Sequence, residues 1–160
     1  MKVLVIGSSG FIGQALVSRL LAEGHEVEAW DRRPGAPLPG QTLRTVDLLG
    51  TASLPMPEGR PWEAAFHLAA HAVPGITWTR ERVLQNLTMT ARVFDHLAEH
   101  APGCRAIFAS SAFVYAPTRE PLREDAPPRV DPSLRSFQAA GRNLGPQPSE
   151  RAPGLHRPAL

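Results

Sequence analysis

Residues 3 to 13 read VLVIGSSGFIG, a short apolar run that breaks into three glycines spaced G-x-x-G-x-x-G. An apolar run without alternation is a strand buried on both faces, here Val3 to Ile6, and such strands belong to parallel sheets covered by helices. From Phe11 to Glu23 the chain continues as a helix, with Ile12, Leu16, Leu20 and Leu21 on one face. Gly24 then closes that helix as a C-terminal glycine does.

Strand and helix go on alternating. A second strand spans Glu26 to Trp30 and ends on Asp31, TLRTVD at 42 to 47 alternates like a third, and AAFHLAA at 64 to 70 is a buried fourth. The longest helical pattern covers residues 80 to 100, with Val83, Leu87, Phe94 and Leu97 near helical spacing, and RAIFASS at 105 to 111 is a fifth strand. This is an α/β pattern that places ligands at the carboxyl ends of the strands. A chain of 160 residues, 42% apolar, suits one domain with a real core.

Composition narrows the function classes. The single cysteine, Cys104, gives no disulfide framework and no thiolate cluster for a metal, so a reducing compartment and the cytoplasm are expected. The apolar run after Lys2 stops at Gly7, so no membrane segment is expected. The net charge of +2 is uneven: Arg135, Arg142, Arg151 and Arg157 against Glu150 give residues 133 to 160 +3, leaving residues 1 to 132 at −1. A basic tail on a body without basic excess argues against a nucleic-acid partner.

The glycine stretch has the context that a dinucleotide site requires. Gly7 would permit the tight turn, Gly10 the approach of backbone to a pyrophosphate, and Gly13 the close packing of helix on strand, while Ser9, Phe11 and Ile12 fill the loop and the amides of the helix start. Asp31 lies eighteen positions beyond Gly13, where its carboxylate would accept from both ribose hydroxyls. That favours NAD over NADP, whose 2′-phosphate would meet the negative charge. Arg32 and Arg33 keep NADP open, since a guanidinium there could accommodate the phosphate.

Taken together, GSSGFIG, WDRR, VDLLG, FHLAA, the helix carrying Asn86 and FASSAFVYAP resemble, in order and spacing, the extended short-chain dehydrogenases, that is, the NAD-dependent epimerase and dehydratase family acting on nucleotide sugars. The resemblance runs from residue 1 to about 144. It implies that Asp47 reaches the adenine amino group with Leu48 beside it, and that Leu68, Ala69 and Ala70 form a wall along the cofactor. It implies further that Ser110 ends the fifth strand beside the cofactor, that Ser111 is the catalytic serine and that Asn86 helps to position the active site. His67 reads as a core residue satisfying a hydrogen bond, His71 as a residue with a better chance of lining the cleft, Met89 as core and Cys104 as an inert thiol.

Family chemistry uses a tyrosine and a lysine four residues apart, the tyrosine moving the alcohol proton while the lysine lowers its pKa. In SFQAAGRNLG, Phe137 stands at the tyrosine's place and Gly141 at the lysine's, and the chain's only tyrosine and lysine are Tyr115 and Lys2. The expectation is an NAD(P)-binding domain over residues 1 to 144 without turnover. It is a three-layer, Rossmann-like, doubly wound parallel sheet of order 3-2-1-4-5, incomplete at its C-terminal side, followed by an irregular Pro/Arg-rich tail at 145 to 160. Two alternatives stand beside it: a non-enzymatic module that uses bound NAD(P) to bind or sense a partner, and a divergent oxidoreductase or epimerase that works through Ser111. The resemblance also allows a homodimer through the long helix.

Overall fold

The computed structural model describes residues 1–71, 79–110, 115, 118 and 120–126. Ser111, Phe137, Gly141 and the tail at 145 to 160 lie outside the described residues.

The elements are β1 (Lys2–Ile6), α1 (Phe11–Ala22), β2 (Glu26–Asp31), β3 (Gln41–Thr45), β4 (Ala64–His67), α2 (Arg80–His100) and β5 (Arg105–Phe108). They build a five-stranded sheet in the order β3-β2-β1-β4-β5, every neighbouring pair parallel, as the sequence leads one to expect. All five residues of β1 are buried because it pairs on both edges and is packed on both faces. Leu4 and Ile6 point into a core with Trp30, Trp62, Val93 and Leu97, and Val3 and Val5 into a second core with Val17, Leu20 and Val27. The first layer is closed by α2, the second by α1.

On α1 the buried stripe is Gly13, Val17 and Leu20, whereas Ile12, assigned to that face from the sequence, is 63% exposed. Gly13 explains the rotation. A Cβ there would lie 2.2 Å from the Gly7 carbonyl oxygen, so the hydrogen-bearing side of Gly13 must face the loop and the helix turns accordingly. Leu16 and Leu21 pack at the margin of the stripe.

Three strands end earlier than their apolar runs. β3 stops at Thr45, β4 at His67 and β5 at Phe108, against expected ends at 47, 70 and 111. In each case one more ladder bond follows: Val46 N–H to Asp31 O at 2.9 Å, Leu68 N–H to Ile6 O at 2.8 Å, and Ala109 N–H to His67 O at 3.1 Å. The chain then leaves the sheet, and Leu68 to Ala70 become cleft wall instead of strand.

At the amino ends of the strands, Glu28 is 2% exposed and fully engaged. Its Oε1 accepts from Trp30 Nε1 at 3.0 Å and Arg44 Nε at 2.9 Å, and its Oε2 accepts from Trp62 Nε1 at 2.9 Å. Lys2, 3% exposed, places its ammonium 4.0 Å from Glu28 and 3.6 Å from Glu26. The only lysine is therefore fixed at the amino end of β1, about 13 Å of strand from its carboxyl end.

Candidate functional site

The chain crosses from β3 over to β4 on the other side of β1, so the strand order reverses between β1 and β4. Connections leave in opposite directions there and open a crevice at the carboxyl ends. A cleft of about 370 Å³ occupies that place.

The first wall is the glycine loop. Gly7 has φ +85°, donates its N–H to Trp30 O at 2.8 Å, and would place a Cβ 2.7 Å from the Ala69 nitrogen. Gly10 is the N-cap of α1, which has no side-chain cap and no acidic residue in its first turn. The first intrahelical bond is Gln14 N–H to Gly10 O at 2.9 Å. The amides of Phe11, Ile12 and Gly13 thus have no protein acceptor among the described residues, the open anion-binding end that helix geometry provides.

The second wall is the end of β2. Asp31 Oδ2 accepts from Ser9 N–H at 3.0 Å and Oδ1 from Arg33 N–H at 2.9 Å. Each oxygen keeps a further lone pair. Gln14 Nε2 donates to Ser9 O at 2.7 Å and Gly35 N–H to Ser9 Oγ at 3.3 Å, which ties the loop after β2 to the glycine loop. Arg32 and Arg33 line the same cleft and are exposed.

The third wall follows β3. Asp47 Oδ1 accepts from Leu49 N–H at 2.9 Å, and Gly50 N–H donates to Asp47 O at 3.1 Å. The Leu48 side chain is 5% exposed and anchored in the core under α2, while its N–H meets no protein acceptor among the described residues. A carboxylate oxygen beside an amide N–H is the complement of an adenine edge, which offers an amino donor next to a ring acceptor. Leu68, Ala69, Ala70 and His71 close the opposite side.

Twelve of the residues singled out from the sequence for the cofactor or its cleft therefore meet in one place: Gly7, Ser9, Gly10, Asp31, Arg32, Arg33, Asp47, Leu48, Leu68, Ala69, Ala70 and His71. Phe11, 95% exposed, and Ile12, 63% exposed, are not among the lining residues, and Gly13 is buried in α1. Ser110 is exposed and is not part of the lining, and Ser111 lies outside the described residues. Asn86, 2% exposed on α2, accepts from His71 N–H through Oδ1 at 2.7 Å, and its buried Nδ2 has no partner among the described residues. Ile6, Trp30, Val46 and Leu49 also line the cleft. They stand next to motif residues in the chain, which is the one signal that could have found them.

His67 is a core residue. Its Nε2 lies 3.2 Å from Thr90 Oγ1, its Nδ1 has no partner among the described residues, and burial pushes its pKa down to about 4. Met89 is 7% exposed and reaches the cleft from α2. Burial pushes the Cys104 thiol up to about 11, which keeps it unreactive. Among the described residues no group of three His, Cys, Asp or Glu side chains could hold a metal, and no helix is long and apolar enough to cross a membrane.

The residues present fit a dinucleotide: free amides for its phosphates, a carboxylate with spare acceptor capacity for a ribose, and the Asp47 and Leu48 pair for an adenine. The sequence pattern of the NAD dependent epimerase/dehydratase family matches residues 3–140. A 3-diazoavenalumate denitrifying reductase of Streptomyces sp is 33% identical over 82% of this chain and 45% of its own length. The structure of MoeE5 in complex with UDP-glucuronic acid and NAD superimposes with a TM-score of 0.66 at 31% identity, over 90% of this chain and 48% of that one. Human epimerase family protein SDR39U1 (isoform 2), crystallised with NADPH, gives 0.66 at 25% identity over 94% and 50%. The chain spans about half the length of these relatives.

Proposed function

The chain belongs to the NAD dependent epimerase/dehydratase family, and from that premise we propose that residues 1 to 144 form a domain that binds NAD without the family's turnover. The observation that carries this reading is the convergence of the glycine loop, Asp31, Asp47 and Leu48 on one cleft. The amides of Phe11 to Gly13 face the pyrophosphate, Asp31 accepts from the adenosine ribose, and Asp47 and Leu48 take the adenine edge. Asp31 opposes a 2′-phosphate and selects NAD, although Arg32 and Arg33 stand close by.

When bound, NAD supplies a hydride acceptor. Using it on an alcohol requires a side chain that takes the hydroxyl proton in the same step. Phe137 has no proton to exchange and Gly141 no charge with which to tune one. Lys2 cannot stand in, because its ammonium is held beside Glu26 and Glu28 at the far end of the sheet. His71 lines the cleft and donates its backbone N–H to Asn86 Oδ1, and Ser111 lies outside the described residues. The complex of MoeE5 with UDP-glucuronic acid supports nucleotide sugars as the class of molecule met near this site.

Calorimetric titration with NAD and NADP, paired with an assay for nicotinamide reduction and epimerisation on UDP-glucuronic acid, tests the proposal. Saturable NAD binding at least tenfold tighter than NADP, a preference erased in Asp31→Ala, and no sugar conversion are expected. Tighter binding of NADP would overturn the assignment of Asp31, and sugar conversion would overturn the loss of turnover.

A further inference from the structure

The loop after β3, residues 46 to 53, has no regular secondary structure, yet it carries Asp47 and Leu48. Ordering such a loop is opposed by conformational entropy, so its shape needs a cause. Among the described residues, every acceptor of the Arg92 guanidinium is a backbone carbonyl of this loop. Nη1 donates to Leu48 O at 3.1 Å, more weakly to Asp47 O at 3.5 Å, and also to Gly50 O, while Nη2 donates to Ala52 O. Four carbonyls from six consecutive residues converge on one cation carried by a helix of 21 residues.

One turn further along α2, His96 Nε2 lies 3.0 Å from Pro55 O, so the next stretch of the same loop is held by the same helix. The side chains of Leu48 and Leu54 are buried in the core that α2 covers, together with Met89 and Val93. The loop is thus gripped from beneath at its carbonyls and apolar side chains. Asp47 and Leu48 line the cleft on the loop's other side.

We propose that Arg92 is a positioning residue that fixes the adenine end of the cleft, setting the spacing of the Asp47 carboxylate and the Leu48 N–H through the carbonyls of residues 47, 48, 50 and 52. This rests on the cofactor reading given above. A guanidinium suits the task because its planar fork reaches carbonyls from two nitrogens and stays protonated at every working pH. A lysine at this position has one ammonium and cannot span the same set.

Two measurements on the full chain test this, using Arg92→Met and Arg92→Lys. Hydrogen exchange of the amides of Leu48 to Ala52, without any ligand, should quicken in both variants while those of β1 stay protected. Calorimetry then compares NAD with its hypoxanthine analogue, which lacks the amino group that Asp47 would accept from. Wild type should favour NAD by about tenfold, the worth of one well-placed hydrogen bond to a charged group, and Arg92→Met should bind NAD about tenfold more weakly with that preference gone. Arg92→Lys should fall between. A loss of stability alone would not remove the preference between the two dinucleotides. Unchanged exchange in both variants overturns the clamp itself, and an unchanged preference overturns its role in adenine recognition. Wild type that binds no NAD overturns the cofactor reading and, with it, the adenine part of the proposal.

Discussion

A methyl group on Gly13 would lie 2.2 Å from the Gly7 carbonyl oxygen and 2.8 Å from Ser8 backbone carbon, whereas one on Gly10 would meet only the Gly7 oxygen, at 3.3 Å. The two glycines therefore answer different demands: Gly13 serves the fold and Gly10 serves whatever approaches the cleft. Gly13→Ala should cost about 1–3 kcal/mol or more in chemical denaturation, as overpacked cores do, while Gly10→Ala should stay within about 1 kcal/mol of wild type. Equal losses would contradict the division. The sequence pattern marks both glycines alike, because spacing does not reveal which neighbour a Cβ would strike. His67 offers a second test at this scale. Its folded pKa of about 4 lies below the unfolded value near 6.5, so between those limits the unfolded chain binds the proton and the folded one does not. Stability is full above pH 6.5 and should fall by about 3 kcal/mol as the pH drops to 4, a slope that His67→Gln should flatten. Denaturation midpoints measured across that range read it directly, and a wild-type slope retained in the variant would assign the effect to other groups.

At the scale of elements, α2 is legible over its full length because its pattern is long and Thr79 caps it, its Oγ1 accepting from Arg82 N–H at 3.3 Å. The rotation of α1 is not legible, since apolar spacing alone allows Ile12 to face inward and only the contact of Gly13 with the loop decides otherwise. Strand ends fail for a similar reason: Leu68 to Ala70 look like strand because a cleft wall is apolar too. The amino-end cluster is the largest surprise. Lys2 and Glu28 carry charge into buried positions, where two indoles and a guanidinium satisfy Glu28. Glu28→Ala should leave both indole N–H groups without their acceptor, take a buried counter-charge from Arg44 and Lys2, and lower stability by about 3–5 kcal/mol in urea unfolding. A change below about 1 kcal/mol would mean that water reaches the cluster.

For the whole molecule, the order of the five strands and the place of the cleft follow from the alternation of buried strands with helices around one glycine turn, all of it local in sequence. What escapes the sequence is non-local: the Arg92 contacts link residues about forty positions apart, and a single arginine on a helix carries no sign of them. The proposed exchange of tyrosine and lysine for Phe137 and Gly141 is the reverse case, read from the sequence alone because both residues lie outside the described ones. The central claim is that the cleft takes a dinucleotide by its adenosine and pyrophosphate half, with Gly10 leaving the room. One calorimetric experiment addresses it: NAD titrated into wild type and into Gly10→Val, with circular dichroism showing that both are folded. Saturable binding to wild type and none to the folded variant is the expected result. Equal binding to both, or none to folded wild type at millimolar NAD, would contradict the account.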